Sequence, residues 1–379
     1  MEFSFTFTEE QEILRKSARD FLQKECPTKL VRKVEDDDKG YDSGLWRKMA
    51  QLGWMGLVFP EEYGGSNCTF EDLVVLLEEF GQALVPGPFM PTVVCGGLPI
   101  LWAGTDTQKG EFIPGIVKGE IMLTLAWVEA SASYEAGGVA LKATRQNKDF
   151  IITGQKLFVP YAHIADYLLC VARTRDGVNK EDGITLFLID AKSNGIEYIP
   201  LKTIGSDRQY EINFHGVKVP QDAILGEMDK GWEIVNKISE YAVVTQCAFM
   251  LGCANRAMDI TVEYAKQRVQ FKRQIGSFQA VQHKCANMFI DLLASKMATY
   301  EAASYLSRGL KGTMEVSSAK ALVIESCKRI SAEGHQIHGG VGLFPEHDLQ
   351  LYTRRIKGME PFFGDADFHR EKVAQQLGL

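Results

Sequence analysis

The stretch DFIITGQKLFVP, residues 149–160, is a short run rich in β-branched residues, and it decides the fold class. Four similar runs follow it: DYLLCVART at 166–174, GITLFLIDA at 183–191, IEYIPL at 196–201 and EINFHGVKVP at 211–220. Glycine, asparagine and aspartate residues separate these runs. Runs of this composition, punctuated in this way, predict β-strands. We therefore expect an antiparallel sheet or barrel between about residue 121 and residue 229.

The residues before these strands have helical periodicity. Residues 8–11 read Thr-Glu-Glu-Gln, which is a capping-box signature for the start of a helix. The apolar residues that follow recur on one helical face: Ile13, Leu14, Ala18, Phe21 and Leu22. FEDLVVLLEEFGQALV at 70–85 predicts a second, apolar helix that the PGPFMP stretch then breaks. Residues 1–120 therefore predict a helical domain.

Helical spacing returns after residue 230. One predicted face collects Met258, Val262, Ala265 and Val269, and long segments with few helix breakers follow. This pattern is typical of a helical bundle. The predicted fold is an α+β multidomain chain, with an N-terminal helical domain at 1–120, a central antiparallel β domain at 121–229 and a C-terminal helical bundle at 230–379.

Composition and charge narrow the function classes. The chain has 379 residues, of which 45% are hydrophobic and 24% charged, as expected for a soluble globular enzyme. Its net charge of -7 gives no reason to expect a nucleic-acid partner, although a local basic patch can still hold a phosphate ligand. No apolar segment approaches the length that spans a membrane, and residues 1–14 lack the pattern of a signal peptide.

Cysteine and histidine positions argue against disulfides and metal sites. The eight cysteines are scattered without a CxxC pair, which favours reduced, mostly structural thiols in a cytoplasmic protein. His335 and His338 lie three residues apart beside glycines and without nearby cysteines, so no metal site is predicted.

The segment YAKQRVQFKRQIGSFQAVQHKCANM, residues 264–288, is the most chemically suggestive one. No GxGxxG follows a first strand, and the GxxxxGK[ST] loop and GxSxG elbow are absent from the sequence. The segment combines cations with aromatic rings and amides: Arg268, Lys272, Arg273, Phe271, Phe278, Gln279 and Gln282. Cations suit a pyrophosphate, and amides and rings suit a flat heterocycle. The alternative is a solvated basic helix end with phenylalanines in the core.

Several separated motifs resemble those of the acyl-CoA dehydrogenases. They are YAKQRVQF and IGSFQAVQHKCANM within 264–288, HQIHGGVGL at 335–343, ILGEMDKGW at 224–232, WRKMAQLGWMGLVFPEEYGG at 46–65 and GQKLFVP at 154–160. The resemblance covers nearly the whole chain with the motifs in the right order. It implies a helical domain, a β domain and a C-terminal four-helix bundle. It also implies FAD, a tetramer, an acyl-CoA substrate and an electron-transferring flavoprotein as electron acceptor.

The resemblance assigns cofactor residues position by position. Arg268 would bind the FAD pyrophosphate, and Phe271 and Gln279 would line the adenosine end. Contacts from a neighbouring subunit would come from Gln336, Gly339 and Gly340. The isoalloxazine ring would lie beside Phe158, Val159 and Pro160 on one edge and Trp127 and Val128 on the other, and Asp367 would replace an amide that contacts FAD. The chain departs from the family at residues 128–131, which replace a Thr-Glu-Pro-type turn, and at Pro160, which replaces a threonine.

The family's catalytic carboxylate has no counterpart here. It stands just before a Gly-Thr pair, and alignment through Gly364 places Phe363 at that position. A second family location falls on Ala242 and Val243. Weak candidates for a relocated base are Asp365, Glu360 and Tyr241. Asp365 is more readily explained as a helix N-cap, and Glu360 as an ion-pair partner of Arg354 or Arg355.

Three functions stay open from the sequence. The first is FAD-dependent α,β-dehydrogenation of a bulky, alicyclic, branched or steroid-derived acyl-CoA, or the reverse reduction, with Phe362 and Phe363 shaping the acyl pocket. The second is a flavin-binding subunit of a hetero-oligomer whose partner supplies the base. The third is a non-catalytic acyl-CoA-binding flavoprotein.

Overall fold

Helices enclose a central group of strands in this chain. The structure, a computed structural model, describes residues 6–379, so the first five residues of the N-terminal stretch 1–14 lie outside it. The first helices are α1 (Glu9–Glu25), α2 (Thr28–Asp36), α3 (Ser43–Gln51), α4 (Phe70–Ala83), α5 (Leu98–Ala103) and α6 (Asp106–Val117). The strands are β1 (Leu123–Ala126), β2 (Lys142–Gln146), β3 (Asp149–Pro160), β4 (Tyr167–Arg173), β5 (Ile184–Asp190), β6 (Ile196–Leu201), β7 (Gln209–Val219) and β8 (Ile224–Leu225).

The C-terminal part is again helical. It contains α7 (Trp232–Gln267), the hairpin strands β9 (Val269–Gln270) and β10 (Arg273–Gln274), and then α8 (Gln279–Ser307), α9 (Thr313–His338), α10 (Leu349–Met359) and α11 (Ala366–Gln376). The order of helices, strands and helices confirms the predicted fold class. The five runs that predict strands correspond to β3, β4, β5, β6 and β7, whereas the short strands β1, β2 and β8 were not predicted individually.

The start of α1 confirms the predicted capping box. The Thr8 hydroxyl accepts a hydrogen bond from Gln11 N at 3.2 Å, and the Gln11 side chain accepts one from Thr8 N at 3.2 Å. These reciprocal bonds satisfy backbone N–H groups that the first turn of a helix leaves free.

Two glycines allow α4 and α7 to pack in direct backbone contact. A Cβ built on Gly81 would lie 2.0 Å from the Phe249 carbonyl oxygen, and one built on Gly252 would lie 1.9 Å from the Glu78 carbonyl oxygen. Neither position therefore has room for a side chain. The predicted apolar helix at 70–85 is confirmed as α4, which is buried over most of its length between α1 and α7.

Strands β1 to β8 form one sheet that is antiparallel except around β1 and at the contact between β2 and β4, and β9 and β10 form a separate hairpin. The strand order is β6-β7-β3-β2-β4-β5-β8, and β1 pairs in parallel with β4. Strand β4 is buried on both faces. Leu169 and Val171 join the core shared with the helices, whereas Leu168 and Cys170 join a second core within the sheet. Because residues in a strand alternate between its faces, this one strand links two cores.

The predicted face of α7 is wrong at its last position. Arg268 adopts an extended conformation, with φ -70° and ψ 124°, so the helix ends at Gln267. Val269 therefore belongs to the β9–β10 hairpin, where it is 54% exposed. Val269 keeps the apolar spacing of the helix, but it does not lie on a helical face because the chain has already entered the hairpin.

All eight cysteines are free. The described residues contain no group of three or more side chains that could hold a metal ion. Within residues 6–379, no helix combines the length and the apolar character needed to cross a membrane.

Candidate active site

A cavity opens where the N-terminal helices, the sheet and the C-terminal helices meet. α4 and a π-helical turn at Met90–Gly97 form one wall, residues at the ends of β1 and β3 form another, and α7, α10 and the loop after α10 complete it. The lining is mostly apolar and rich in rings: Phe80, Phe89, Trp127, Tyr134, Phe158, Tyr161, Phe249, Phe362 and Phe363. Such walls suit a flat or ring-bearing ligand.

Phe363 lies in the cavity wall with an unusual backbone. Its φ is +60°, and the φ of Gly364 is +100°. Bulky residues rarely adopt this left-handed region, and strained residues of this kind cluster at functional sites. The Phe363 ring lies 6.4 Å from the Trp127 ring and 6.0 Å from the Tyr134 ring, measured between centroids.

His369 stabilises the loop that contains Phe363 by a hydrogen bond to its backbone. The imidazole is 2% exposed, with Nε2 2.9 Å from the Phe363 carbonyl oxygen and Nδ1 3.3 Å from Ser317 Oγ. Burial and the nearby Lys320 cation lower the pKa of His369 to about 3. The ring is therefore neutral at pH 7, with Nε2–H donating to the Phe363 carbonyl.

A buried lysine supports the floor of the cavity. Lys320 is fully buried and donates a hydrogen bond to Gln246 Oε1. Gln246 lines the cavity and donates through Nε2 to the Met359 carbonyl at 2.8 Å. Burial lowers the pKa of Lys320 to about 8. Both polar ends of Gln246 are thus used within the protein, so this amide shapes the floor.

The three candidate bases lie outside the cavity lining. Asp365 caps α11 by accepting a hydrogen bond from Phe368 N at 2.9 Å. Glu360 pairs with Lys357 at 2.7 Å. Tyr241 donates to the Leu306 carbonyl at 3.1 Å, and its ring packs on Trp102 and Phe70. A catalytic role for any of them stays a prediction.

The expected ion pair of Glu360 with Arg354 or Arg355 is wrong. Arg354 pairs with Glu35 of α2 at 2.8 Å, and Arg355 lies 3.6 Å from the same carboxylate. Glu360 instead pairs with Lys357, three residues earlier at the end of α10. Residues three apart on a helix lie on one side, which brings these two charges together.

The wall beside β1 and β3 contains four of the predicted flavin residues. Trp127, Val128, Phe158 and Pro160 line the cavity, whereas Val159 is buried in the core of the sheet. Pairing of β3 with β7 is irregular between Lys156 and Val159, and Phe158 has a φ of +51°. This irregularity turns Phe158 out of the regular strand and leaves it 45% exposed.

An ion pair that the sequence does not reveal fixes this wall. Lys156 is fully buried and donates hydrogen bonds to the Trp127 carbonyl at 2.9 Å and to Glu129 Oε1 at 2.7 Å. The Glu129 carboxylate also accepts hydrogen bonds from Ala140 N and Leu141 N. The loop after β1, where the chain departs from the family pattern, is therefore bonded to β3.

Three buried polar atoms around the cavity have no hydrogen-bond partner within the described part of the chain. They are Trp127 Nε1, Gln209 Oε1 and Arg355 Nε, and all three residues line the cavity. An unpaired buried polar atom costs about 1–3 kcal/mol, so the arrangement favours a ligand that offers partners. The isoalloxazine ring of FAD has apolar faces and an edge with donors and acceptors, so it fits this lining.

The residues predicted for the distal part of FAD lie outside this cavity. Phe271 is 86% exposed at the turn of the β9–β10 hairpin, which follows Arg268 directly. Gln279 begins α8. A neighbouring cation, Arg273, lies with its guanidinium carbon 3.9 Å from the centroid of the Phe278 ring. The hairpin thus gathers cations and rings at the surface.

The glycines at the end of α9 leave open space. Gly339 has a φ of +60°, and a Cβ built on Gly339 or Gly340 would meet no heavy atom within 4 Å. Gln336 lies in the last turn of α9. Asp367 pairs with Arg370 at 2.6 Å in the first turn of α11, with its side chain 87% exposed. A cofactor role for these residues stays a prediction.

Sequence reasoning missed many residues of the cavity and its support, among them Tyr134, Lys156, Gln209, Gln246, Lys320 and Arg355. Only the Lys156 and Tyr134 regions carried a signal, since GQKLFVP and the atypical loop after Trp127 were both recognised. The other four lie in β7, α7, α9 and α10, where nothing in the local sequence sets them apart.

Comparison with known proteins identifies the family. The model of the acyl-CoA dehydrogenase N-terminal domain matches residues 8–120, that of the middle domain residues 124–217 and that of the C-terminal domain residues 229–378. The chain belongs to the acyl-CoA dehydrogenase family. It is therefore an oxidoreductase that acts on the CH–CH bond of an acyl-CoA, which confirms the enzyme class expected from the sequence motifs.

Two curated relatives are similar over nearly their whole length. A 3-(aryl)acrylate reductase of Clostridium sporogenes is 34% identical, with 98% of this chain and 99% of the relative covered. The caffeyl-CoA reductase-Etf complex subunit CarC of Acetobacterium woodii is 32% identical at the same coverage. Among solved structures, butyryl-CoA dehydrogenase from Megasphaera elsdenii superposes with a TM-score of 0.92, 27% identity and full coverage of both chains.

Proposed function

We propose that the acyl-CoA dehydrogenase described here reduces the α,β-double bond of a 2-enoyl-CoA whose acyl group carries a ring, using FAD. The aromatic cavity carries this proposal, because Trp127, Phe362 and Phe363 all line it. Each ring–ring contact adds about 0.5–1.5 kcal/mol beyond area burial, so such walls favour an aromatic acyl group over a straight chain. The names of the two curated relatives support the same substrate class.

The acid–base groups of the cavity favour the reductive direction. Among the described residues of the lining, Asp207 is the sole carboxylate, and it already accepts hydrogen bonds from Thr203 and Gln209. Dehydrogenation begins with removal of the α-proton of a thioester, which needs a free base within hydrogen-bonding reach. Reduction ends with protonation of an enolate instead, for which a weak acid is enough.

FAD supplies hydride transfer when it is bound. Trp127, Val128 and Phe158 would pack against the isoalloxazine ring, Arg268 would pair with the pyrophosphate, and Gly339 would permit close approach of the backbone. The aromatic walls would keep water from the reacting carbons. Arg268→Glu is expected to lower the flavin bound per chain several-fold, as measured by absorbance, while the same change at the exposed Arg145 of β2 leaves it unchanged. Full flavin content in Arg268→Glu would remove Arg268 from the site.

Substrate preference tests the proposed reaction. With a reduced viologen dye as electron donor, kcat/KM for cinnamoyl-CoA should exceed that for crotonyl-CoA at least about tenfold, equivalent to about one or two ring contacts. A preference for crotonyl-CoA would show that the ring-bearing substrate class is wrong. Oxidation of 3-phenylpropanoyl-CoA without measurable reduction of cinnamoyl-CoA would show that the direction is wrong.

A hetero-oligomer in which a partner chain completes the site is the alternative. Helix α8 exposes four large apolar side chains: Phe289, Ile290, Leu293 and Met297, each 46–61% exposed in the single chain. Positions 290, 293 and 297 recur at helical spacing on one face, which supports association with another chain. That chain is either a second copy of this one or a homologue of the same fold.

An electron-transferring flavoprotein is the proposed redox partner. The Acetobacterium relative is, by its name, a subunit of a reductase-Etf complex, which supports this proposal. Reduction of the bound flavin by a reduced electron-transferring flavoprotein, measured by stopped-flow absorbance, should be faster than reduction by NADH alone. Equal or faster reduction by NADH would overturn this partner.

A further inference from the structure

We propose that Tyr134 is the catalytic acid of this site and donates a proton to the α-carbon of the substrate. The inference rests on the proposed function. Phe363 stands where a carboxylate is expected and cannot transfer a proton, so another side chain must do so.

Tyr134 lies beside the strained Phe363. It belongs to the loop between β1 and β2 and lines the cavity. Its ring centroid is 6.0 Å from that of Phe363 and 5.2 Å from that of Trp127. Tyr134 thus lies next to the wall position, Phe363, at which the sequence alignment expects a carboxylate.

The other titratable groups of the described lining suit the step less well. Asp207 is already hydrogen-bonded, and Arg355 does not release its proton in proteins. Tyr161 accepts a hydrogen bond from Gly87 N at 3.1 Å and interacts electrostatically with both Asp207 and Arg355. Cys95 is 5% exposed, and burial raises the pKa of its thiol to about 12. Within the described residues, the hydrogen bonds and ring contacts of Phe363 involve none of these four groups.

The protonation state of Tyr134 suits an acid. Burial raises the pKa of its hydroxyl to about 12, and the nearby Phe363 backbone opposes that rise. The hydroxyl is therefore protonated at neutral pH and has a proton to give. The same influence of the Phe363 backbone favours the phenolate that remains afterwards.

For a 2-enoyl-CoA, the hydride that bound reduced FAD would supply to the β-carbon would move the electron pair of the double bond onto the thioester as an enolate. The enolate carbon then bonds to the proton of Tyr134, the O–H bond breaks and its electron pair stays on oxygen. Tyr134 is half-buried rather than enclosed, so water can return the proton to the phenolate.

Exchange of the substrate's α-hydrogen with solvent deuterium tests this role independently of electron transfer. Oxidised holoenzyme incubated with 3-phenylpropanoyl-CoA in D₂O should incorporate deuterium at the α-carbon, as measured by mass spectrometry. Tyr134→Phe should slow this exchange and cinnamoyl-CoA reduction by about 10²- to 10⁴-fold, the usual range for a lost acid–base group. Flavin content and the Kd of the thioester should stay near wild type, because the ring remains.

Tyr167→Phe is the matched control. Its ring packs on Phe112 at 4.8 Å and lies outside the cavity lining, so exchange should stay at the wild-type rate. Exchange by Tyr134→Phe within about threefold of wild type would overturn the inference and leave the proposed function intact. A wild-type enzyme that neither binds nor reduces cinnamoyl-CoA would overturn the proposed function, and the inference with it.

The pH dependence of exchange gives a second test that needs no variant. Exchange requires the phenolate, so the wild-type rate should rise about tenfold per pH unit up to at least pH 10. A rate that levels off near pH 5–6 would identify a carboxylate as the base and contradict the assignment to Tyr134.

Discussion

Phe363 combines a left-handed backbone, a place in the cavity wall and an aromatic ring at the position where the sequence alignment expects a carboxylate. His369 fixes its carbonyl, and Trp127 and Tyr134 lie against its ring. Holding a bulky residue at positive φ costs about 1–3 kcal/mol, so the surrounding contacts must offset that strain. We therefore propose that substrate shape and proton transfer fall to different residues, Phe363 and Tyr134.

The Phe363→Leu variant tests whether substrate preference depends on the aromatic interaction of Phe363 or only on the size of its side chain. Leucine keeps most of the apolar contact but loses the aromatic interaction, which is worth about 0.5–1.5 kcal/mol. The kcat/KM for cinnamoyl-CoA should fall by about 2- to 12-fold, while that for crotonyl-CoA stays within about twofold. Steady-state assays with both thioesters measure this difference. An equal loss for both substrates would mean that Phe363 acts on the loop and not on the acyl group.

Because His369 is buried and neutral, the free energy of unfolding depends on pH in the acidic range. Its folded pKa is lowered to about 3, whereas histidine in an unfolded chain titrates near about 6.5. Between these values the unfolded chain binds a proton that the folded chain does not, so the free energy of unfolding falls by up to about 1.4 kcal/mol per pH unit as pH drops. His369→Gln should therefore lose less Tm than wild type between pH 6.5 and pH 5.

Differential scanning fluorimetry measures both profiles. His215→Gln on the exposed part of β7 is the control, and its pH profile should match wild type. Parallel acid profiles for His369→Gln and wild type would show that the imidazole is not held neutral in the folded protein.

At the scale of elements, the contact between α4 and α7 positions the cavity. The two helices touch backbone to backbone at Gly81 and Gly252, and α4 contributes Leu77 and Phe80 to the lining while α7 contributes Gln246 and Phe249. A wider spacing between these helices would change the shape of the cavity. The glycines therefore link helix packing to the site.

Gly252→Ala tests this link. The new Cβ would lie 1.9 Å from the Glu78 carbonyl oxygen, so the helices must separate, at a cost of about 1–3 kcal/mol in stability. The Tm should fall, and the KM for cinnamoyl-CoA should rise. Gly110→Ala in α6 is the matched control, since a Cβ there meets nothing within 4 Å and removes the entropic cost of glycine. An unchanged Tm for Gly252→Ala would disprove the close contact.

At the scale of the whole molecule, exposed apolar residues concentrate in three places. They are the β9–β10 hairpin with Val269 and Phe271, the α8 face with Ile290 and Leu293, and the segment after α9 with Leu343 and Phe344. Two of these regions contain residues predicted to bind FAD. Exposed patches of this kind mark interaction sites, so assembly and cofactor binding are expected to depend on each other.

Ile290→Asp combined with Leu293→Asp tests the dependence. Two carboxylates on the α8 face should disrupt an apolar interface, because charge is disfavoured at the centre of such contacts. Light scattering after gel filtration should show a smaller assembly than wild type, and flavin bound per chain should fall with it. Lys218→Asp, a charge change on the exposed part of β7, should alter neither quantity. An unchanged assembly in the double variant would exclude α8 as an interface.

Local sequence determined the order of elements and their approximate ends. The Thr8 capping box, the α4 run at 70–85 and the five β-branched runs all formed as predicted, because short-range hydrogen bonding and apolar periodicity decide such features. The same rules failed at Val269, where apolar spacing outlasted the helix. The resemblance also predicted the family correctly, since the motifs that carry it are spread over the whole chain.

Only the tertiary structure decided which side chains join Trp127 and Phe363, which sequence reasoning had already placed at the site. Tyr134 and Phe249 come from the loop between β1 and β2 and from α7, and no local pattern relates them to the rest of the lining. The pairing of Lys156 with Glu129 and of Glu35 with Arg354 likewise joins residues far apart in sequence. Burial and electrostatic contact depend on distances in space, whereas sequence periodicity records only which face a residue occupies. Tyr134, the side chain that we propose as the proton donor, could therefore be recognised only in the folded chain.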